Sequence, residues 1–254
     1  MRTVLFWTMA LVSTLLFSLI STVGGLVRAP KGFFDWVHRH WSRSMLWAAG
    51  IRVEVSGLDH VLRDRPQVFM SNHESNLDIF VLLIGLPASI RFVAKQELSR
   101  IPLFAQAMNA AGHVFVDRKN RQAAMENMRA AGRRMEKDNL SLGLYPEGTR
   151  SRSGTLGEFK RGTFVLAIET QEPIVPVAIL GSRDLLAAGS PRVRAGTVSV
   201  RVGPQIATAG LTAADRESLL RQVRGAIERL LEQDGGGDPS ASPAAEPPSP
   251  ISTS

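Results

Sequence analysis

Gln67-Val68-Phe69-Met70-Ser71-Asn72-His73-Glu74-Ser75-Asn76-Leu77-Asp78 is the stretch that decides the fold. Its first four residues are a short apolar run without polar alternation, which predicts a buried strand. A polar loop follows, and then a helix that carries Asp78. Working outward, Ile51-Arg52-Val53-Glu54-Val55 alternates as a strand does. Short β-type runs recur at Arg91–Ala94, His113–Val116, Ser141–Tyr145, Ile174–Leu180 and Thr197–Val202. Helix-length stretches lie between most of them. From Asn120 to Lys137, Ala124, Met128, Ala131 and Met135 fall on one side at helical spacing. Leu211 to Glu232 is another helical stretch, with Thr212 as its cap. Strands alternating with helices predict an α/β fold, a mainly parallel sheet flanked by helices. Ligands in such sheets bind at the carboxyl ends of the strands.

The whole chain sets the bounds. Its 254 residues, 44% hydrophobic, suffice for one α/β domain with a sizeable core. With no cysteine there is no disulfide, no thiolate metal site and no cysteine nucleophile. The formal charge is +7, and 25 of the 30 basic residues are arginine. That balance is compatible with nucleic acid, anionic lipid or a phosphorylated substrate.

Residues 1–28 are expected to be a transmembrane anchor. Val4 to Val27 holds no charge, long enough to cross a bilayer and longer than the core of a signal peptide. The exit Gly24-Gly25-Leu26-Val27-Arg28 lacks a clean cleavage pattern. Arg28, Lys31, Arg39 and Arg43 outweigh Arg2 and the amino terminus, so the main domain is expected to face the cytoplasm, from the cell inner membrane or its equivalent. Residues 29–50 carry three of the four tryptophans among basic residues, which predicts a helix at the membrane interface. A helix packing its aromatic side on the domain is the alternative, and the two are compatible. Residues 51–234 form the α/β domain. The Gly-, Ser- and Pro-rich tail, 235–254, is expected to be disordered.

Four constellations carry chemistry. His73 follows a strand, where such a sheet offers its site, and an imidazole there can take a proton from a hydroxyl. Asp78, on the other ring nitrogen, would fix the tautomer. Within one helix, residues five apart point about 140° from each other. The pair therefore works only if His73 stays in the loop and Asp78 lies in the first turns of the helix. Arg118 and Lys119 end the His113–Val116 run and form a candidate phosphate site. Leu144-Tyr145-Pro146-Glu147-Gly148-Thr149-Arg150 runs from a strand into a turn that offers a carboxylate beside a guanidinium, and Lys160 and Arg161 follow. The proline inside Ile174-Val175-Pro176-Val177-Ala178 suggests an edge or bulge position. Each constellation alone also has an ordinary structural explanation: a capping box at Ser71–Glu74, solvated charge, a salt-bridged turn.

Together, in this order, they resemble the 1-acylglycerol-3-phosphate acyltransferases among the glycerolipid acyltransferases. The resemblance rests on Asn72-His73 with Asp78, Gly112-x-x-Phe115-x-x-Arg118, Pro146-Glu147-Gly148-Thr149-Arg150 and Val175-Pro176-Val177, across about Val68 to Leu180. Tyr145 stands where the family often has Phe. The resemblance implies a fatty acyl group passing directly from acyl-CoA or acyl carrier protein to the sn-2 hydroxyl of 1-acylglycerol 3-phosphate. His73 would be the general base and Asp78 its partner. Arg118, Glu147, Gly148, Thr149 and Arg150 would bind the acceptor, with Lys95, Lys160 and Arg161 as further phosphate or donor contacts. Val175, Pro176 and Val177 would line the acyl channel. The implied partners are lysophosphatidic acid in an anionic membrane surface and the thioester co-substrate, with no cofactor, metal or nucleic acid. Alternatives are the same chemistry on another acceptor such as a lyso-aminolipid, a metal-dependent membrane hydrolase, and a non-catalytic protein that binds anionic lipid.

Overall fold

The computed structural model describes residues 1–117 and 121–233. Two helices come first, α1 (Arg2–Leu26) and α2 (Lys31–Ala49). They are followed by β1 (Ile51–Ser56), β2 (Val68–Ser71), α3 (Leu77–Gly85), β3 (Ile90–Lys95), α4 (Phe104–Ala111) and β4 (Val114–Val116). The chain continues with α5 (Arg121–Asp138), β5 (Ser141–Leu144), α6 (Arg161–Thr170), β6 (Ile174–Leu180), α7 (Ser182–Leu185), β7 (Gly196–Val202) and α8 (Arg216–Glu232).

The strands form one sheet in the order β1-β7-β6-β2-β5-β3-β4, with every neighbouring pair parallel except β6 with β7. The strand that opened the sequence reading, β2, lies in the middle, between β6 and β5. All four of its residues are buried. Phe69 joins the apolar layer beneath α2 and α3, while Val68 and Met70 join the layer shared by α5, α6 and α8. Burial on both faces is why this strand reads as an unbroken apolar run. Thr212 caps the final helical segment as expected: its hydroxyl accepts from Ala214 N, and Asp215 accepts from Thr212 N at 2.8 Å.

Of the edge and bulge positions expected for Pro176, the edge does not hold. β6 is central, and Pro176 is paired in register with Met70 of β2. The antiparallel ladder with β7 ends at Val177–Val202, and the next bridge joins Ile174 to Ile206. Pro176 sits in that interruption, where its carbonyl accepts from Gly203 N at 2.9 Å. A missing N–H costs little where the ladder is already broken.

α1 and α2 run antiparallel. Ser13 Oγ donates to Met45 Sδ, Trp41 Nε1 donates to Thr14 Oγ1 at 3.1 Å, and a Cβ at Gly24 would strike the Phe33 ring. The polarity of α1 is the reverse of a soluble helix. Ser13, Ser18, Ser21 and Gly24 face inward, while Leu11, Leu15, Leu16 and Leu19 are about half exposed. Small inward residues allow close helix contact, as in membrane bundles. α1 is the one helix among the described residues that is long and apolar enough to cross a membrane. α2 buries Phe34, Val37, Met45 and Leu46 and leaves Trp36 and Trp47 exposed. The tail 235–254 lies outside the described residues.

Candidate active site

The loop from β2 to α3 is pinned before it reaches His73. Asn72 Nδ2 donates to Ile179 O and its Oδ1 accepts from Ile179 N, both at 2.8 Å, so the side chain extends the sheet past β2. Ser75 Oγ donates to Leu186 O at 2.7 Å and accepts from Leu77 N. His73 lies in this loop and Asp78 in the first turn of α3, which is the arrangement the spacing requires. Asp78 is fully buried. Its Oδ2 accepts from Glu74 N at 2.8 Å and Ser75 N at 2.9 Å, and lies 2.8 Å from His73 Nδ1. A carboxylate in a helix first turn is also favoured by the macrodipole. With Asp78 accepting, Nδ1 of His73 is the donor, and Nε2 of the neutral ring carries the free lone pair.

The turn after β5 holds the same histidine from another side. His73 N donates to Glu147 Oε1 at 3.0 Å, and His73 O accepts from Ser151 N at 2.7 Å. Glu147 Oε2 accepts from Gly157 N at 2.8 Å. The Tyr145 ring stacks on the imidazole, with centroids 3.8 Å apart and planes at 13°. Phe92 lies behind Tyr145, and His113 behind Phe92, both nearly parallel.

These rings border a cavity of about 480 Å³. Its other walls come from α1 (Thr14, Phe17, Ser18, Ser21), α2 (Val37, His38, Trp41) and α4 (Phe104, Ala107, Met108). His73, Lys95, Gly148, Thr149 and Arg150 all line it. An apolar pocket with a few convergent polar groups is the usual form of a small-molecule site. Lys95 pairs with Glu97 at 2.9 Å. Arg150 makes no ion pair among the described residues.

Other expected site residues are placed elsewhere. Arg118 lies outside the described residues. Arg161 pairs with Glu217 of α8 at 2.9 Å, and the exposed Lys160 is not part of the cavity wall. Val175 and Val177 are buried in the core beneath α2 and α3, and the Val175–Pro176–Val177 strand is no wall of this cavity. The reason is topological: a central strand covered by helices on both faces offers no surface to a ligand.

Sequence reasoning missed several residues. Arg91, 1% exposed, donates to Asp35 of α2 at 2.7 Å, and Ser89 donates to the same carboxylate at 2.6 Å. His113 accepts from Phe92 N at 3.0 Å, and burial, then Arg91, pushes its pKa down to about 3. Glu74, half-buried beside His73, is pushed up to about 7 by burial and then by Asp78. Burial also raises the Tyr145 pKa, so this ring remains a neutral phenol. No local pattern marks Arg91 or His113, because their partners Asp35 and Phe92 lie 56 and 21 residues away.

The fold and site define a class: an α/β enzyme with a carboxylate-oriented histidine base at an apolar cavity. Comparison with known proteins narrows it. The family model described as Acyltransferase matches residues 52–180. The human 1-acyl-sn-glycerol-3-phosphate acyltransferase alpha is 36% identical over 194 residues, covering 74% of this chain and 69% of that protein. The human beta form is 38% identical over 178 residues, covering 70% and 64%. In fold, the crystal structure of the 1-acyl-sn-glycerophosphate acyltransferase from Thermotoga maritima superposes with a TM-score of 0.76 at 23% identity, covering 92% of this chain and 97% of that one. The chain belongs to the 1-acylglycerol-3-phosphate acyltransferase family of glycerolipid acyltransferases.

Proposed function

We propose that the enzyme transfers a fatty acyl group from acyl-CoA or acyl carrier protein to the sn-2 hydroxyl of 1-acylglycerol 3-phosphate, giving phosphatidic acid. The observation that carries this reading is the imidazole of His73, with Nδ1 on Asp78, lining an apolar cavity that also holds Arg150 and Lys95. Nε2 takes the proton of the acceptor hydroxyl as its oxygen attacks the thioester carbonyl. The tetrahedral intermediate then collapses, and the proton passes to the departing thiolate. Asp78 stabilises the imidazolium between these steps. Arg150 and Lys95 receive the phosphate, together with Arg118 as the family resemblance implies. The apolar walls accept acyl chain, and positioning supplies much of the rate.

The leucines on the outer face of α1 fit a lipid phase, and this helix holds the enzyme at the membrane. The cationic residues Arg28, Lys31, Arg39 and Arg43 that follow favour a cytoplasmic domain at the inner membrane or its equivalent.

The test is thioester consumption by the purified enzyme with acyl-CoA and acyl carrier protein donors. The acceptor panel holds lysophosphatidic acid, lysolipids with head groups and a lyso-aminolipid. Lysophosphatidic acid is expected to turn over fastest, and His73→Ala to lose on the order of 10²–10⁴ in kcat. Faster turnover of another acceptor would move the reading to that lipid. Activity in His73→Ala within about tenfold of the wild type would remove the general base.

A further inference from the structure

We infer that Glu147 is a positioning residue for His73 and makes no contact with the acceptor substrate. The inference rests on His73 being the base.

Four observations carry it. First, each carboxylate oxygen of Glu147 already accepts a backbone N–H, from His73 at 3.0 Å and from Gly157 at 2.8 Å. Second, Glu147 is only 4% exposed and is not part of the cavity wall, although its neighbours Gly148, Thr149 and Arg150 are. A substrate hydroxyl in the cavity therefore meets the backbone and guanidinium of this turn, not its carboxylate. Third, the Gly157 end of the clasp is itself anchored. Arg224 of α8 donates to Gly157 O at 2.6 Å and to Leu156 O at 3.1 Å. A Cβ at Gly157 would lie 2.8 Å from Glu147 Oε2, so this approach requires glycine. Fourth, the same turn grips His73 twice more, through Ser151 N on its carbonyl and the Tyr145 ring on its imidazole. Gly148, at φ +69°, lets the chain reverse tightly enough to place all three contacts on one residue.

The physical consequence follows from where His73 sits. It belongs to neither β2 nor α3, so no secondary structure holds its peptide. Asp78 fixes one ring nitrogen, which leaves the backbone free to swing the ring about that bond. Glu147 and Ser151 hold the peptide on both sides and Tyr145 holds the ring plane, so the direction of Nε2 is set. A misplacement of about 1 Å at a reacting centre can cost on the order of 10²-fold.

Glu147→Gln tests this. The glutamine amide keeps one acceptor oxygen but turns a donor NH₂ toward the second N–H, so one of the two bonds is lost. The expected result is a fall in kcat of at least tenfold, with KM for lysophosphatidic acid unchanged within about twofold. Gly157→Ala is the second variant: it displaces the carboxylate without altering charge or cavity, and is expected to give the same kcat-type loss. A rise in KM of tenfold or more with kcat intact in Glu147→Gln, or wild-type kinetics in Gly157→Ala, overturns the inference. His73→Ala run in parallel separates the two readings. If it stays active, the base assignment itself fails. If it is inactive while Glu147→Gln shows only a KM effect, Glu147 alone has been misassigned.

Discussion

Oδ2 of Asp78 is shared: it sits 2.8 Å from His73 Nδ1 while also accepting the backbone N–H groups of Glu74 and Ser75. One buried oxygen thus shapes the loop and orients the base. Asp78→Asn tests both tasks. Its amide oxygen, placed where Oδ2 lies, can still accept from all three donors, but the negative charge that stabilises the imidazolium is gone. Loop and fold should survive while that stabilisation is lost. The expected outcome is a loss on the order of 10²–10⁴ in kcat with a melting midpoint near wild type, read by steady-state kinetics and calorimetry.

Asp35→Asn probes the tie between α2 and the sheet. Arg91 is almost wholly buried, and this change leaves its guanidinium without a charged partner. Asp35 itself is 21% exposed, so the cost sits at the low end for a broken buried pair, about 2–3 kcal/mol. The melting midpoint in detergent should fall by roughly 4–12 °C.

Gly143→Ala tests the ring column at a distance. A Cβ there would lie 2.5 Å from Phe92 Cε1, and Phe92 stacks against Tyr145. Overpacking should cost about 1–3 kcal/mol. It should also lower kcat, because Phe92 stacks on the Tyr145 ring that holds His73, and a shift of one ring reaches the other. Unchanged kcat in a destabilised protein would separate the column from catalysis.

Acid sensitivity should trace in part to His113. Its pKa is about 3 in the folded protein, set by burial and by Arg91, against about 6.5 in the unfolded chain. Between those values the unfolded state binds more protons, so stability falls as pH drops from 6.5 toward 3. His113→Asn keeps an acceptor for Phe92 N but cannot titrate. The variant should melt lower than wild type at pH 7 and close that gap at pH 5.

Ser18→Phe tests whether α1 is a wall as well as an anchor. Ser18 lines the cavity between α1, α2 and α4. The larger side chain should cut kcat/KM for long acyl chains by roughly tenfold and for short ones by less, because lost packing volume scales with chain length. The variant should remain membrane-bound, since the outer face of α1 is untouched.

Much of this was legible in the sequence. The strands showed themselves because parallel strands covered on both faces leave apolar runs, and β6 was read with the bounds it has, Ile174–Leu180. His73 and Asp78 were legible as a geometric condition, loop then helix, which the fold meets. Pro176 marked the break in the β6–β7 ladder but not the strand's central place, because proline reports on one N–H and not on the strand around it. Glu147 was read as a ligand for substrate because its partner, His73, is 74 residues away and no local pattern links them. Arg91 looks like an ordinary polar position in a strand; only the fold brings Asp35 to it, from 56 residues earlier. The cavity walls were hidden for a similar reason. Composition marks α1 as apolar but does not say that its few serines form the side that packs.

That reversed helix carries a consequence for how the enzyme is switched on. Ser18 and Ser21 of α1 line the cavity, while Leu11, Leu15, Leu16 and Leu19 on its outer face are about half exposed. On this reading, a copy stranded in water has every reason to tear α1 away or bury it against another copy, and its chamber is then breached. Assembly of the chamber and arrival at the bilayer become one event.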